Sequence, residues 1–404
     1  MTSEMQQSQT IPVNPPQNDI AIDTAEMQLL LACVPGSWRD EQRFRVAELI
    51  PQIRSWEAVP QLAVRHRMVP QVAWTLNRCG CDVPSEIEAE LRTRNQRWAM
   101  RRLSMISELR RTGDAFADAD IAVGVFKGPA VERMVYEPSQ LRQYNDLDLV
   151  VKPSAVRDAC DVLSQLGYAG FIDQLRDFST AELRRLIKHY RDASCSRVVA
   201  GRVLSVELHW SLCDLPRRHT AFEESIWQSL NDAPESIYGT LSGVDLLIYL
   251  AFHGGRHRWK RLTWLCDFVR AMDRFDDGDW KTAFDRAEQL RLRSYLDLAL
   301  LIVDRLLPFH SIPAGAKPLS SADRFTSAIS RCQHAIVADE MYYETKPLSS
   351  FRWLFELPHS PTDRLAGFSQ LFIPTNEDFL ANGWWKGHYQ RCLRVGGKLF
   401  RRAG

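Results

Sequence analysis

The sequence predicts an α+β protein that is mostly helical, with its strands gathered in the middle of the chain. Three short segments there, 121–126, 145–151 and 203–210, have the length and apolar content of strands, and the last two alternate residue by residue. On either side, apolar residues recur at three- and four-residue intervals, which places them on one face of a helix. The expected organisation is a polar lead-in over 1–20, a helical region over 21–115 and an α/β core over 116–235. A second helical region over 236–345 and an irregular to helical tail over 346–404 complete it.

The lead-in is rich in Gln, Asn, Pro and Ser and is expected to be disordered, because it has too little apolar surface to offset the entropy of ordering. From Thr24 onward, clusters around Leu29–Leu31, Phe44–Ile50 and Trp56–Val64 mark helices, with Arg65-His66-Arg67 joining two of them. A longer helix is expected over Ser85–Arg111, burying Ile87, Leu91, Trp98, Met105, Ile106 and Leu109 and turning its arginines to solvent. In the core, the apolar run Ile121–Phe126 stops at Lys127-Gly128-Pro129, where proline suits the first turn of a helix.

Pro153-Ser154 opens a helix with Val156, Ala159, Cys160 and Leu163 inward and Gly167 as its C-terminal cap. Ala181–Arg191 reads as a basic helix, followed by the strand Val203–Trp210. Further on, Ser242 is a capping residue for a helix to Phe252, and the basic segment His253–Arg261 leads into a helix over Leu262–Met272. Asp267, an acid among apolar residues of that helix, is expected to be buried and paired with an arginine. Residues 281–306 and 325–343 continue helical around a Pro/Gly/Ser connection.

Composition narrows the function. At 404 residues, with 45% hydrophobic and 25% charged residues, the chain has ordinary globular values. A formal net charge of +1 gives no bulk attraction for nucleic acid. No stretch approaches the eighteen apolar residues that span a bilayer, and the polar N-terminus with Glu4 does not read as a secretory signal. The nine cysteines form no disulfide framework; Cys79 and Cys81 are expected to be thiols, and the expected location is the cytoplasm. Residues 371–374 and 383–385 with the basic stretch 386–402 offer a peripheral membrane contact, against the simpler expectation of a packed terminal helix. Trp210, Trp259, Trp264 and Trp280 are expected as core anchors rather than base-stacking platforms.

The chemistry is concentrated at Asn145–Val151. Side chains on a strand alternate, so Asp146 and Asp148 share one face while Leu147, Leu149 and Val151 share the other. Two adjacent carboxylates repel each other and resist burial, which calls for a positive partner; a divalent metal is the economical one. The same alternation puts Glu207 and His209 on one face of the later strand. Converging carboxylates of this kind serve two-metal phosphoryl or nucleotidyl transfer, and a Lys-Gly turn before a helix can meet phosphate oxygens.

Three runs carry a family resemblance: FKGPAVERMVYEPSQLRQYNDLDLVV, VELHW and LIYLAFHGGRHRWKRLTWLCDFVR. Together they resemble the bacterial family of uncharacterised nucleotidyltransferases within the DNA polymerase beta-like superfamily. The resemblance covers roughly residues 120–275, and Lys127-Gly128 stands where the wider superfamily carries Gly-Ser. It implies a small mixed sheet with helices packed on it, flanked by N-terminal and C-terminal helical regions. Asp146, Asp148 and Glu207 would then be the catalytic and metal-holding acids, for Mg2+ or for Mn2+ in its place.

Lys127, Gly128, Arg142, His209, Arg256 and His257 would bind the NTP donor, ATP above the others, with Lys260 converging beside them. The implied activity is transfer of an NMP group to a hydroxyl or amine of a small molecule, sugar or peptide. A phosphotransferase or pyrophosphokinase with the same metal geometry is the alternative enzyme. A non-catalytic protein-binding scaffold is the alternative outside enzymology.

Overall fold

Apolar faces recurring at helical spacing make most of this chain helical, and its strands form a single sheet. The structure is a computed structural model that describes residues 21–36, 40–213, 221–233, 235–318 and 322–338, with Trp353, Glu356, Leu357, Ile373, Tyr389, Arg391 and Leu393 as isolated positions. The lead-in over 1–20 and, those positions apart, the tail over 339–404 lie outside the described residues.

Four short helices come first: α1 (Ala25–Ala32), α2 (Asp40–Leu49), α3 (Ala58–Arg65) and α4 (Val69–Cys79). The long α5 (Ser85–Asp118) follows, about 50 Å from end to end at the usual helical rise. It runs past the expected stop at Arg111 because Thr112, Gly113 and Phe116 continue its buried face. The core then reads β1 (Val123–Val125), α6 (Pro129–Val135), β2 (Asp146–Val151) and α7 (Val156–Gln165). It continues with β3 (Ala169–Gly170), α8 (Phe171–Asp177), α9 (Thr180–His189), β4 (Asp192–Val199) and β5 (Arg202–His209). Helices α10 (Ala221–Asp232), α11 (Gly243–Arg256), α12 (Leu262–Met272), α13 (Asp277–Gln289), α14 (Arg293–Leu306) and α15 (Thr326–Val337) close the described chain.

The sheet is mixed, in the order β1-β2-β5-β4-β3, with β2 and β5 parallel and the other pairs antiparallel. The expected fold, a mostly helical α+β protein with a small mixed sheet, is what the chain adopts. Two strands are additional. The basic helix stops at His189, and Arg191 leads directly into β4. Ala200 and Gly201, both at positive φ, turn β4 back into β5 as a two-residue hairpin. Gly167, also at positive φ, ends α7: its N–H donates to the Ser164 carbonyl while that of Tyr168 donates to Leu163.

One sheet face is apolar. Leu147, Leu149 and Val151 with Leu204, Val206 and Leu208 are buried against the α7–α9 side together with Trp98, Met105 and Phe116 of α5. Ile106 and Leu109 of α5, expected to be buried, are only half-buried. The opposite face meets a larger core in which the N-terminal helices and α11–α14 pack together. Trp210, Trp259 and Trp280 are core residues, as expected. Cys79 and Cys81, expected as thiols, are joined in a disulfide across Gly80. No described helix is long and apolar enough to cross a membrane.

His66 ties the N-terminal helices to α12. It is fully buried, its Nδ1 accepts from the Leu262 N–H (3.3 Å) and its carbonyl accepts from Thr263 (3.2 Å). These bonds satisfy N–H groups that the first turn of a helix leaves without partners. Burial, reinforced by Arg65 and Arg261, pushes its imidazole down to about 3. The folded state therefore holds His66 neutral, whereas in the unfolded chain it titrates near 6.5. The associated stability is complete above pH 6.5 and declines as pH falls toward 3, by about 2 kcal/mol at pH 5. His66→Asn keeps an acceptor for Leu262 without a titrating group. Urea melts at pH 7 and pH 5 should show the wild type losing more stability than the variant; equal losses would contradict this account.

Candidate active site

The site grows out of the parallel pairing of β2 with β5. In their register Asp146 lies opposite Ser205, Asp148 opposite Glu207 and Val150 opposite His209. Residues directly across a ladder point the same way, so the acids of both strands emerge on one face. Asp148 is buried, Asp146 is half-buried, and Glu207 keeps a third of its side chain exposed.

Asp148 is the hub. Its Oδ1 accepts from the Lys127 ammonium at 2.7 Å and faces His209 Nε2 at 3.3 Å. Burial works to raise this carboxyl, but Lys127 and then His209 outweigh it, so it is held far below the ordinary carboxylate range. Asp146 goes the other way: burial first, then Asp148 and Glu207, push its carboxyl up. Burial opposes the charged form of His209, yet its bonds to Asp148 and Glu207 prevail and raise the imidazole. Asp148, Glu207 and His209 each offer one donor atom, all within 4.8 Å of one another.

The Lys127-Gly128 turn is held from behind. Gly128 sits at φ 51° and ψ −122°, a region that glycine alone enters without strain, and Pro129 starts α6. Arg142 donates to the Gly128 carbonyl (3.2 Å) and makes a two-pronged pair with Asp267, 2.8 Å on each prong. The Tyr136 hydroxyl donates to the same Asp267 carboxylate at 2.6 Å. Asp267 is thus buried and paired, as expected, but with an arginine 125 residues away. Arg142 is committed to that carboxylate and to bracing the turn.

These groups open onto a cavity of about 230 Å3. Lys127, Gly128, Asp146, Asp148 and Glu207 line it from the sheet side, and His253, His257, Lys260, Arg261 and Trp264 from α11, α12 and the segment between them. Arg67 and Arg191 also line it. Of the expected donor-binding residues, His209 and Arg256 are not among the described lining residues. Helix α11 continues through Arg256, and His253 and His257, four residues apart, share a face. Burial, then Lys127 for His253 and Arg256 for His257, pushes both imidazoles well below their ordinary range. Two neutral histidines therefore stand among cations, with the Trp264 ring 5.3 and 4.9 Å from theirs.

Sequence reasoning did not single out Arg67, Arg191 and Arg261 for the site, because each looked like one more basic residue of a helix end or loop. Trp264 was grouped with core tryptophans, yet it faces the cavity.

A sheet face carrying three acids in a cavity also lined by several cations suits the handling of phosphate, although only Asp148 and Glu207 of those acids come together with His209, and Asp146 stands outside that close group. Residues 53–308 match the family described as uncharacterised nucleotidyltransferase, and the chain belongs to that family. No curated protein and no solved structure matches the chain. Its general chemistry is accordingly nucleotidyl transfer.

The Arg142–Asp267 pair yields a stability prediction. Removing one partner of a buried ion pair strands the other charge, at a cost of about 3–5 kcal/mol. Asp267→Ala should lose that much in urea unfolding, whereas Tyr136→Phe, which removes one hydrogen bond, should lose about 1–2 kcal/mol. Similar losses in the two variants would show that the ion pair is not the principal brace.

Proposed function

We propose that the protein is a divalent-metal-dependent nucleotidyltransferase that moves an NMP group from an NTP, ATP in the first instance, to a hydroxyl or amine of a small molecule, sugar or peptide. The observation that carries this reading is that Asp146, Asp148 and Glu207, on one sheet face, share a cavity with several cationic side chains, in a chain of this family. The donor set suits a hard divalent cation, Mg2+ or Mn2+: the acids mutually raise Asp146, and the Lys127 ammonium already supplies positive charge at Asp148. Asp146, Asp148 and Glu207 would hold the metal, which when bound neutralises phosphate charge and stabilises the transferring phosphoryl group.

The chain's own residues supply the remainder. Glu207, the most exposed of the three acids, is placed to take the proton of the acceptor hydroxyl or amine. The acceptor atom attacks the α-phosphorus, the bond to the bridging oxygen breaks, and pyrophosphate leaves. Lys127, Lys260 and Arg191 face the cavity where they can offset the leaving charge, and Gly128 lets the turn approach the phosphates closely. Arg142 acts by positioning that turn. Trp264 offers a flat apolar surface beside the neutral histidines for the base. Arg256 stands outside the lining, where it adds to the burial that keeps His257 neutral. The near-zero net charge favours a small acceptor over nucleic acid, and we place the protein in the cytoplasm.

Two outcomes test this. Incubation with each of the four NTPs, Mg2+ and candidate acceptors should yield an acceptor heavier by an NMP mass, and Asp148→Asn should cut the rate about 1,000-fold, roughly 4 kcal/mol of barrier. Gain of phosphate or pyrophosphate instead would point to the alternative transferases. Second, a polyanion beside His253 and His257 raises their proton affinity, so NTP binding near pH 6.5 should take up protons. Calorimetry in buffers of different ionisation enthalpy reads this directly, and uptake should vanish in His253→Asn/His257→Asn. Proton release on binding would exclude these histidines from the phosphate environment.

A further inference from the structure

We infer that His209 is itself a ligand of the metal centre and that the resulting imidazole–carboxylate set prefers Mn2+ to Mg2+. The inference rests on the metal-dependent reading above and goes beyond it in ligand and metal.

The first support is where Nε2 points. It lies 3.3 Å from Asp148 Oδ1 and 3.4 Å from Glu207 Oε2. A charge-assisted N–H···O bond is about 2.7–2.9 Å long, and this nitrogen makes neither contact at that length. It stands nearly equidistant between two carboxylate oxygens while having at most one hydrogen to give. Donor atoms about 2.2 Å from a shared ion are spaced about 3.0–3.5 Å when they are octahedral neighbours. Both separations from Nε2 fall within that range.

The second support is that the ring is fixed. Nδ1 is buried without a hydrogen-bond partner, since Asp192 Oδ2, held by Arg191 at 2.8 Å, stays 3.7 Å away. Metal binding at Nε2 requires the neutral ring. The Phe126 ring meets the imidazole edge-on at 4.9 Å, and His209 is buried, so its orientation is fixed before any ligand arrives.

The donor set then selects the ion. Mg2+ keeps to oxygen donors and water, whereas Mn2+ accepts imidazole nitrogen beside carboxylates. Lys127 and His209 contact the same Asp148 oxygen, so entry of the ion requires Lys127 to move off toward the phosphates.

The test reads the metal rather than the reaction. Wild-type protein is titrated with Mn2+ alone and with Mn2+ plus inorganic triphosphate, which adds phosphate oxygens but no nitrogen. Electron spin-echo modulation should show one directly bound nitrogen, changing to the 15N pattern when histidine is 15N-labelled. Mg2+ competition should show Mn2+ binding at least about ten-fold tighter. His209→Gln should abolish the nitrogen coupling and bring the two affinities to within about three-fold. The wild-type spectrum needs no variant to fold. Bound Mn2+ without nitrogen coupling, or no Mn2+ binding at all, overturns the inference. NMP transfer measured alongside separates the two readings: transfer without the coupling sinks only this one, and coupling without transfer sinks only the proposed activity.

Discussion

The parallel pairing of β2 with β5 is the constraint on which the site depends. Its register sets Asp148 directly across from Glu207 and keeps both acids, with Asp146 and His209, on one face. A slip of one residue would send every side chain of one strand to the other face. Leu147, Leu149 and Val151 with Leu204, Val206 and Leu208, buried on the opposite face, forbid that slip. The repulsion among the carboxylates is therefore tolerated because apolar burial on the back of the same two strands fixes their positions. Lys127 and His209 lessen it locally at Asp148.

A second constraint joins this sheet to the helices. Asp267 of α12 binds Arg142, and Arg142 holds the carbonyl of Gly128, so a single buried carboxylate connects α12 to the turn that carries Lys127. Thr263 and Trp264 of the same helix line the cavity, and His66 anchors its first turn from the N-terminal side. The flanking helices thus supply the second wall of the cavity. Substrate selection would then reside in the helical flank, and the sheet would carry the chemistry common to the family.

Much of the sheet face was legible because a two-residue period is local. DLDL and VELH each show which residues travel together, and the turn chemistry of Lys127-Gly128-Pro129 fixes the end of β1. What could not be read was pairing. That β2 meets β5 in parallel, and that Arg142 meets Asp267, depends on contacts between residues far apart in sequence. Strand β4 was hidden for another reason: Ala193, Ser194, Cys195 and Ser196 are small, with little β preference, and they follow a strongly amphipathic helix. The one local sign was Gly201, whose positive φ allows the hairpin turn. Arg256 was read as part of the basic segment after Phe252, but helix α11 continues through it, with Trp259 and Tyr295 packed closely against Gly254 and Gly255.

The two walls of the cavity differ in kind as well as in sign. The acids sit on a paired strand interior, where backbone hydrogen bonds leave them little freedom, whereas the cations come from helix ends and a turn on long side chains. A centre that binds a compact ion gains from rigid donors, since displacement of one ligand atom by a fraction of an ångström costs affinity. A surface that follows a flexible triphosphate through binding and pyrophosphate release gains from adjustable partners. Keeping His253 and His257 neutral serves the same end: the wall holds enough positive charge to attract a polyanion and avoids the repulsion of two more cations before the polyanion arrives. The division between a fixed acidic strand pair and a yielding basic wall follows from where the chain places each residue type, and under the proposed function it would let one small cavity hold an ion tightly and still release a product.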